Sequence, residues 1–221
     1  MRNKETDAVR IAARKRRIME AGFRLFLEKG FEAVTMPEIA AASGVSRASL
    51  YLYYSTKVDL VIAVGAWKWD EYIRSAQASK ATERAAATTA AARMRLYLES
   101  FLDLYRNHRD LLCFNYVFNI YLKNVGSTSE QKKTYLDVVE NLRVSFHEIF
   151  EQGRMDHTIR TDISEEMMFS SSFHIMLAAT TRYAVGLVYL PESGTSPEDE
   201  LIMLENLLLS KFVQQEHTAF L

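Results

Sequence analysis

Residues 35–57 read TMPEIAAASGVSRASLYLYYSTK, and their spacing predicts two short helices joined by a tight turn. Thr35 is a strong helix cap, Glu38 stands three residues on where a capping-box partner reaches back, and Pro37 is tolerated in a first turn. Ile39 and Ala40 supply the apolar contact of this first helix, and the small run Ala40 to Ala42 permits close packing. Gly44 can take the left-handed conformation that ends a helix. Ser46 then caps a second helix through Tyr54, whose period sets Leu50 and Tyr54 on one side and Arg47, Ala48 and Tyr51 on the other. One face packs, and the other is left to make contacts. A short helix with small residues at its start can enter a major groove, where Arg47 can donate two hydrogen bonds to a guanine. Ser49 and Tyr51 can bond phosphates or base edges.

Upstream, residues 10–35 read RIAARKRRIMEAGFRLFLEKGFEAVT and place Ile18, Ala21, Gly22, Leu25 and Phe26 at helical spacing, with Gly30 as a stop and Phe31 as an apolar anchor. This helix is expected to bury the inner face of the pair that follows. From Arg17 to about Val64 the pattern is R-I-M-x-A-G-F-x-L-F-x3-G-F-x3-T-M-x2-I-A-x2-S-G-V-S-x-A-S-L-Y-x-Y-Y-x2-K-x2-L. It closely resembles the N-terminal DNA-binding domain of the TetR family of bacterial transcriptional regulators, over roughly a quarter of the chain. The resemblance implies an all-α protein, with a three-helix helix-turn-helix reader at the N-terminus and a C-terminal helical domain for ligand binding and dimerisation. Its DNA contacts carry over to Thr35, Ser46, Arg47, Ala48, Ser49, Tyr51, Leu52 and Lys57. Lys57 matches a family lysine at a helix N-terminus, where its ammonium and the exposed backbone donors both favour a phosphate. Three positions depart from the family pattern. Leu52 stands where a histidine is usual and can neither donate to a phosphate nor accept from a donor, so a neighbouring apolar group or a thymine methyl is its alternative contact. Tyr54 replaces phenylalanine, and Val58 replaces an acidic residue, with Thr56 and Asp59 still offering a cap and a first-turn carboxylate.

With 221 residues, 48% of them hydrophobic, and three prolines, the chain can bury a sizeable helical core. Its net charge of −1 is segregated: up to Lys57 there are 11 Lys and Arg against 6 Asp and Glu, and beyond it 16 against 22. A basic head and an acidic body suit a protein that touches nucleic acid with one end. Arg10, Arg14, Lys15, Arg16 and Arg17 form the densest cluster, and phosphate contact by some of them is expected. Residues Met1 to about Val9 read as a mobile tail without a secretion-signal run, and the longest apolar runs are far shorter than a membrane span. A cytoplasmic protein without membrane contact is expected. Cys113 is a lone cysteine in an apolar setting, and His108, His147, His157, His174 and His217 lack metal-ligand spacing. With no Gly-rich phosphate loop and no G-x-S-x-G, neither an enzyme nor a cofactor or metal site is expected.

Beyond the head, helices are expected over about 56–79, 83–107, 110–123 and 129–151, with Gly153 as a terminator, and then from Asp162 or Ser164 to about Tyr189 and from Ser196 to about Gln215. The domain division is expected at 1–56 and 57–221. The last helix is apolar on more than one face, and the one before it carries small residues that permit close approach, so the chain is expected to form a homodimer through this pair. In the resembled family the twofold axis presents two readers to the half-sites of a palindromic double-stranded operator. Trp67, Tyr72, Phe101, Tyr105, Phe114, Phe118, Tyr121, Phe146, Phe173 and His174 are the candidate contacts for an apolar or aromatic small-molecule effector. The expected function is a ligand-responsive repressor. One alternative keeps the DNA reader but places the body under a protein partner or a nucleoid role; another is a helical scaffold or enzyme without DNA binding.

Overall fold

A computed structural model describes residues 4–187 and 194–214. Ten helices occur among them: α1 (Lys4–Lys29), α2 (Met36–Ser43), α3 (Arg47–Tyr53), α4 (Lys57–Ser79), α5 (Ala81–Ala86), α6 (Ala90–Asn107), α7 (Arg109–Asn124), α8 (Ser129–Asp156), α9 (Glu165–Ala184) and α10 (Pro197–Phe212). The fold is all-α, as expected. No described helix is long and apolar enough to cross a membrane. Contacts divide the chain into two compact units, Met1–Tyr72 with Cys113–Val138, and Ile73–Leu112 with Val139–Leu221. The expected boundary lies at residue 56, whereas the grouping by contacts places most of α4, most of α7 and the start of α8 with the head.

In the first unit Ile18, Phe26, Val34, Ile39, Leu50, Leu60 and Val64 are almost fully excluded from water. Phe31, just past the α1 stop at Gly30, is the hub of the aromatic packing: its ring lies 4.8 Å from Phe26, 5.2 Å from Phe114 and 5.1 Å from Tyr121. Each such burial contributes about 1.5–3 kcal/mol, so α7 is part of what holds the three-helix head together. A polar node lies beside this core, where Trp69 Nε1 and the Tyr135 hydroxyl both donate to the buried Asn115 Oδ1, at 3.3 and 3.2 Å.

In the second unit α6, α9 and α10 pack on one another, and α8 joins α6 and α9 through Phe146. Five rings close a circuit: Tyr97–Phe101 at 5.5 Å, Phe101–Phe173 at 6.0 Å, Phe173–Phe169 at 5.5 Å, Phe169–Phe146 at 5.4 Å and Phe146–Tyr97 at 5.1 Å. The Tyr97 hydroxyl lies 3.3 Å from Ser172 Oγ, and burial pushes the phenol far above its ordinary range.

Several expected boundaries move. Residues 4–9 are helical, not a tail: once the packed half of α1 is nucleated, each added residue gains a hydrogen bond at little cost. The single helix expected over 83–107 is two, because Thr89 caps α6 by accepting from the Ala92 N–H. Two more starting amides of α6 are satisfied from afar, Ala90 N–H by Asp156 at 2.8 Å and Ala91 N–H by Thr158 at 2.9 Å. Gly153 does not end its helix. It lies inside α8 where Ile159 crosses so closely that a Cβ would stand 2.2 Å from the isoleucine Cγ1. Ile159 then forms an isolated antiparallel bridge with Val213, Arg160 N–H donating to Phe212 C=O at 2.7 Å, and this extended pairing stops α10 short of Gln215, itself outside the described residues. α9 begins after the Ser164 cap and ends at Ala184; Tyr189, its expected end, lies outside the described residues, as does His217.

Candidate nucleic-acid interface

The α2–turn–α3 segment follows its local chemistry. Thr35 and Glu38 close the capping box: Thr35 N–H donates to Glu38 Oε2 at 2.8 Å, and Glu38 N–H donates back to Thr35 Oγ1 at 3.4 Å. Gly44 holds φ 66°, ψ 30°, so the chain turns where a side chain would be strained. Ser46 caps α3 by accepting from Ser49 N–H at 3.1 Å. Leu50 is fully buried and Tyr54 nearly so, its hydroxyl 4.0 Å from Met19 Sδ and its pKa pushed up to about 12 by burial. These two anchors fix the rotation of α3, leaving Arg47, Ala48, Tyr51 and Leu52 together on its exposed side.

The eight candidates therefore differ in what they have to offer. Thr35 is committed to the cap, because both its N–H and its hydroxyl donate to Glu38. The carboxylate of Glu38 also takes the Lys29 ammonium at 3.0 Å, and the Thr35 N–H bond, Lys29 and the Thr35 hydroxyl together hold its pKa down to about 2. That places a fixed negative charge at the start of α2. Ser46 Oγ donates to Ser49 Oγ at 2.9 Å, which leaves the Ser49 hydroxyl proton for another acceptor. The Lys57 ammonium donates to the carbonyls of Glu32 at 3.1 Å and Val34 at 2.9 Å, tying the start of α4 to the connection between α1 and α2; its third N–H remains for a phosphate.

The basic cluster on α1 is sorted by contacts that spacing does not show. Arg16 pairs with Glu20 at 2.8 Å, and Lys15 lies 5.7 Å from the centre of the Tyr53 ring at the end of α3. The Arg17 guanidinium lies against the turn, 3.5 Å from where a Cβ on Gly44 would stand. Arg10, Arg14 and Arg17 share one exposed stripe of α1 at i, i+4 and i+7.

The effector candidates are divided between the two units. Trp67, Tyr72, Phe114, Phe118 and Tyr121 fall in the first unit, where the last three are packed with Phe31 and Phe23 of the head. Phe101, Tyr105, Phe146, Phe173 and His174 fall in the second, and three of these belong to the five-ring circuit. His174 is exposed on α9, its ring edge-on to Phe173 at 6.2 Å. Sequence reasoning passed over Tyr97, Phe169 and Ser172. The i, i+4 pairs Tyr97/Phe101 and Phe169/Phe173 were the available signal for the first two.

Known proteins share this arrangement. Residues 18–64 match the family described as bacterial regulatory proteins, tetR family. The HTH-type transcriptional regulator YvaF of Bacillus subtilis (strain 168) is 51% identical over 49 residues, 22% of this chain and 25% of that protein. The matched regions span 17 to 65% of the length of the curated relatives. A TetR transcription regulator from Haloarcula marismortui superposes with a TM-score of 0.70 at 20% identity, covering 92% of this chain and all of that one. The transcriptional regulator FadR from Bacillus subtilis, solved in complex with stearoyl-CoA, superposes with a TM-score of 0.65 at 16% identity, covering 88% and 97%. At these identities the solved structures establish the fold.

Proposed function

We propose that the chain, whose residues 18–64 match the tetR family of bacterial regulatory proteins, is a repressor that binds a palindromic operator as a homodimer and is released by an apolar small molecule. The observation that carries the DNA-binding part is the exposed side of α3, Arg47, Ala48, Tyr51 and Leu52 over the buried anchor Leu50. Arg47 pairs with a guanine edge, Ser49 and Tyr51 take phosphates or base edges, and Lys57 spends its remaining N–H on a phosphate. In this reading residues 1–56 hold the reader and 57–221 serve the effector and the dimer, with Lys57 on the border serving the reader. Dimerisation is supported by apolar side chains left exposed on α9 and α10: Met167, Ile175, Met203 and Leu207. A twofold axis then sets two copies of α3 about 34–36 Å apart, one turn of duplex.

For the effector, the support lies in the aromatic circuit of the second unit and its Tyr97/Ser172 hydroxyl pair, and in the acyl-CoA bound by FadR. The control is thermodynamic linkage: a ligand that prefers a conformation with displaced readers weakens operator binding by the ratio of its two affinities.

Duplexes enriched from a random library provide the test. Arg47→Ala is expected to lose affinity mainly for duplexes intact at one base pair, and Lys57→Ala to lose it for every duplex alike. Equal losses for both variants across all base changes would overturn the role of Arg47. Acyl-CoA and aromatic compounds that raise the melting temperature should release the duplex; no release at any concentration would point instead to a protein partner.

A further inference from the structure

The side of α3 opposite its anchor is apolar. With each helical residue advancing by about 100°, Ala48 and Leu52 stand about 160° and 200° around from Leu50, while Arg47 and Tyr51 occupy one flank. Leu50 is 0% exposed and Leu52 is 82% exposed, the most exposed large hydrophobic side chain among the described residues. The ridge that reaches furthest from the body of the reader is thus a methyl and an isobutyl group, one helical turn apart.

Leucine has neither donor nor acceptor, so it cannot bond a phosphate oxygen or read any polar base edge. The one apolar group that a base pair offers in the major groove is the C5-methyl of thymine. Neighbouring i and i+4 side chains lie about 6 Å apart, close to two base steps of about 3.4 Å along one strand. We propose that Leu52 and Ala48 read thymine methyl groups, Leu52 being the residue that makes an A·T pair a requirement of each half-site, beside the guanine taken by Arg47. This rests on the proposal that α3 enters the major groove. It assigns Leu52 a specificity role that a side chain without an apolar surface at the same position cannot fill.

The test uses the full chain and the duplex it enriches from a random library. Each thymine is replaced in turn by deoxyuridine, which removes only the C5-methyl. At one thymine per half-site the wild-type protein is expected to lose about fourfold in affinity, the contribution of one buried methyl group. Leu52→Ala should bind the unaltered duplex correspondingly less well and be indifferent to uracil at that position. Restoring a methyl there with 5-methylcytosine opposite guanine should recover part of the wild-type affinity over plain cytosine. Leu52 is exposed, so an unchanged melting temperature is expected to accompany the loss. A wild-type protein indifferent to uracil at every position, or a Leu52→Ala variant that keeps the same uracil penalty, overturns this inference while leaving the DNA-binding function standing. If no duplex is enriched, function and inference fall together.

Discussion

Glu38 takes a hydrogen bond from the Thr35 N–H, another from the Thr35 hydroxyl and an ion pair from Lys29, and none of these survives protonation unweakened. Its pKa is held down from 4.5 to about 2, so the folded state binds this proton less readily than the unfolded chain. The resulting stability is present in full above pH 4.5 and is lost as the pH falls from there toward 2. Between these limits the melting temperature of wild-type protein should therefore fall more steeply than that of Glu38→Gln, and parallel curves would show that Glu38 is not the group responsible. At the same scale, Thr35 illustrates how a residue can match a DNA-contact position and still have its donors engaged within its own helix start. Lys57 is a different case, since three donors allow it two structural bonds and one contact outward.

At the scale of elements, Gly153 marks the point where the extended segment after α8 packs back on that helix. The Ile159 side chain occupies the space of a Cβ at Gly153, and Ile159 is itself completely buried. Alanine ordinarily gains about 1 kcal/mol over glycine inside a helix. Here overpacking should outweigh that gain and destabilise the protein by about 1–3 kcal/mol net, measurable as a lower denaturation midpoint in urea; a more stable Gly153→Ala would mean that Ile159 moves aside freely. α1 supports a second expectation at this scale. Its stripe of Arg10, Arg14 and Arg17 carries no ion pair among the described residues, whereas Arg16 is paired to Glu20. Changing the three stripe residues to glutamine should flatten the plot of log affinity for duplex DNA against log salt by about 0.9 for each phosphate that is no longer neutralised. Arg16→Gln should flatten it less. Equal changes per residue would show that net charge matters and its placement on α1 does not.

At the scale of the whole molecule, the exposed apolar residues of α9 and α10 predict the state of assembly. Met203→Glu with Leu207→Glu should leave a folded monomer by sedimentation and cost most of the affinity for a two-half-site duplex, since each reader then binds alone. A dimer that persists would move the interface elsewhere. What was legible in the chain itself was whatever is settled within three or four residues: the caps at Thr35, Ser46 and Ser196, the left-handed turn at Gly44, and the burial of Leu50 on the side of its helix away from Ala48. Such choices rest on neighbouring donors and acceptors and on the 3.6-residue repeat, both written locally. Only the tertiary structure decided that Phe114, Phe118 and Tyr121 pack on the three-helix head, that a helix breaks before Ala90, and that Gly153 stays helical. The partners in these cases are distant in the chain, as Asp156 is from Ala90, and an aromatic or glycine residue has the same local pattern whichever neighbour the fold brings to it.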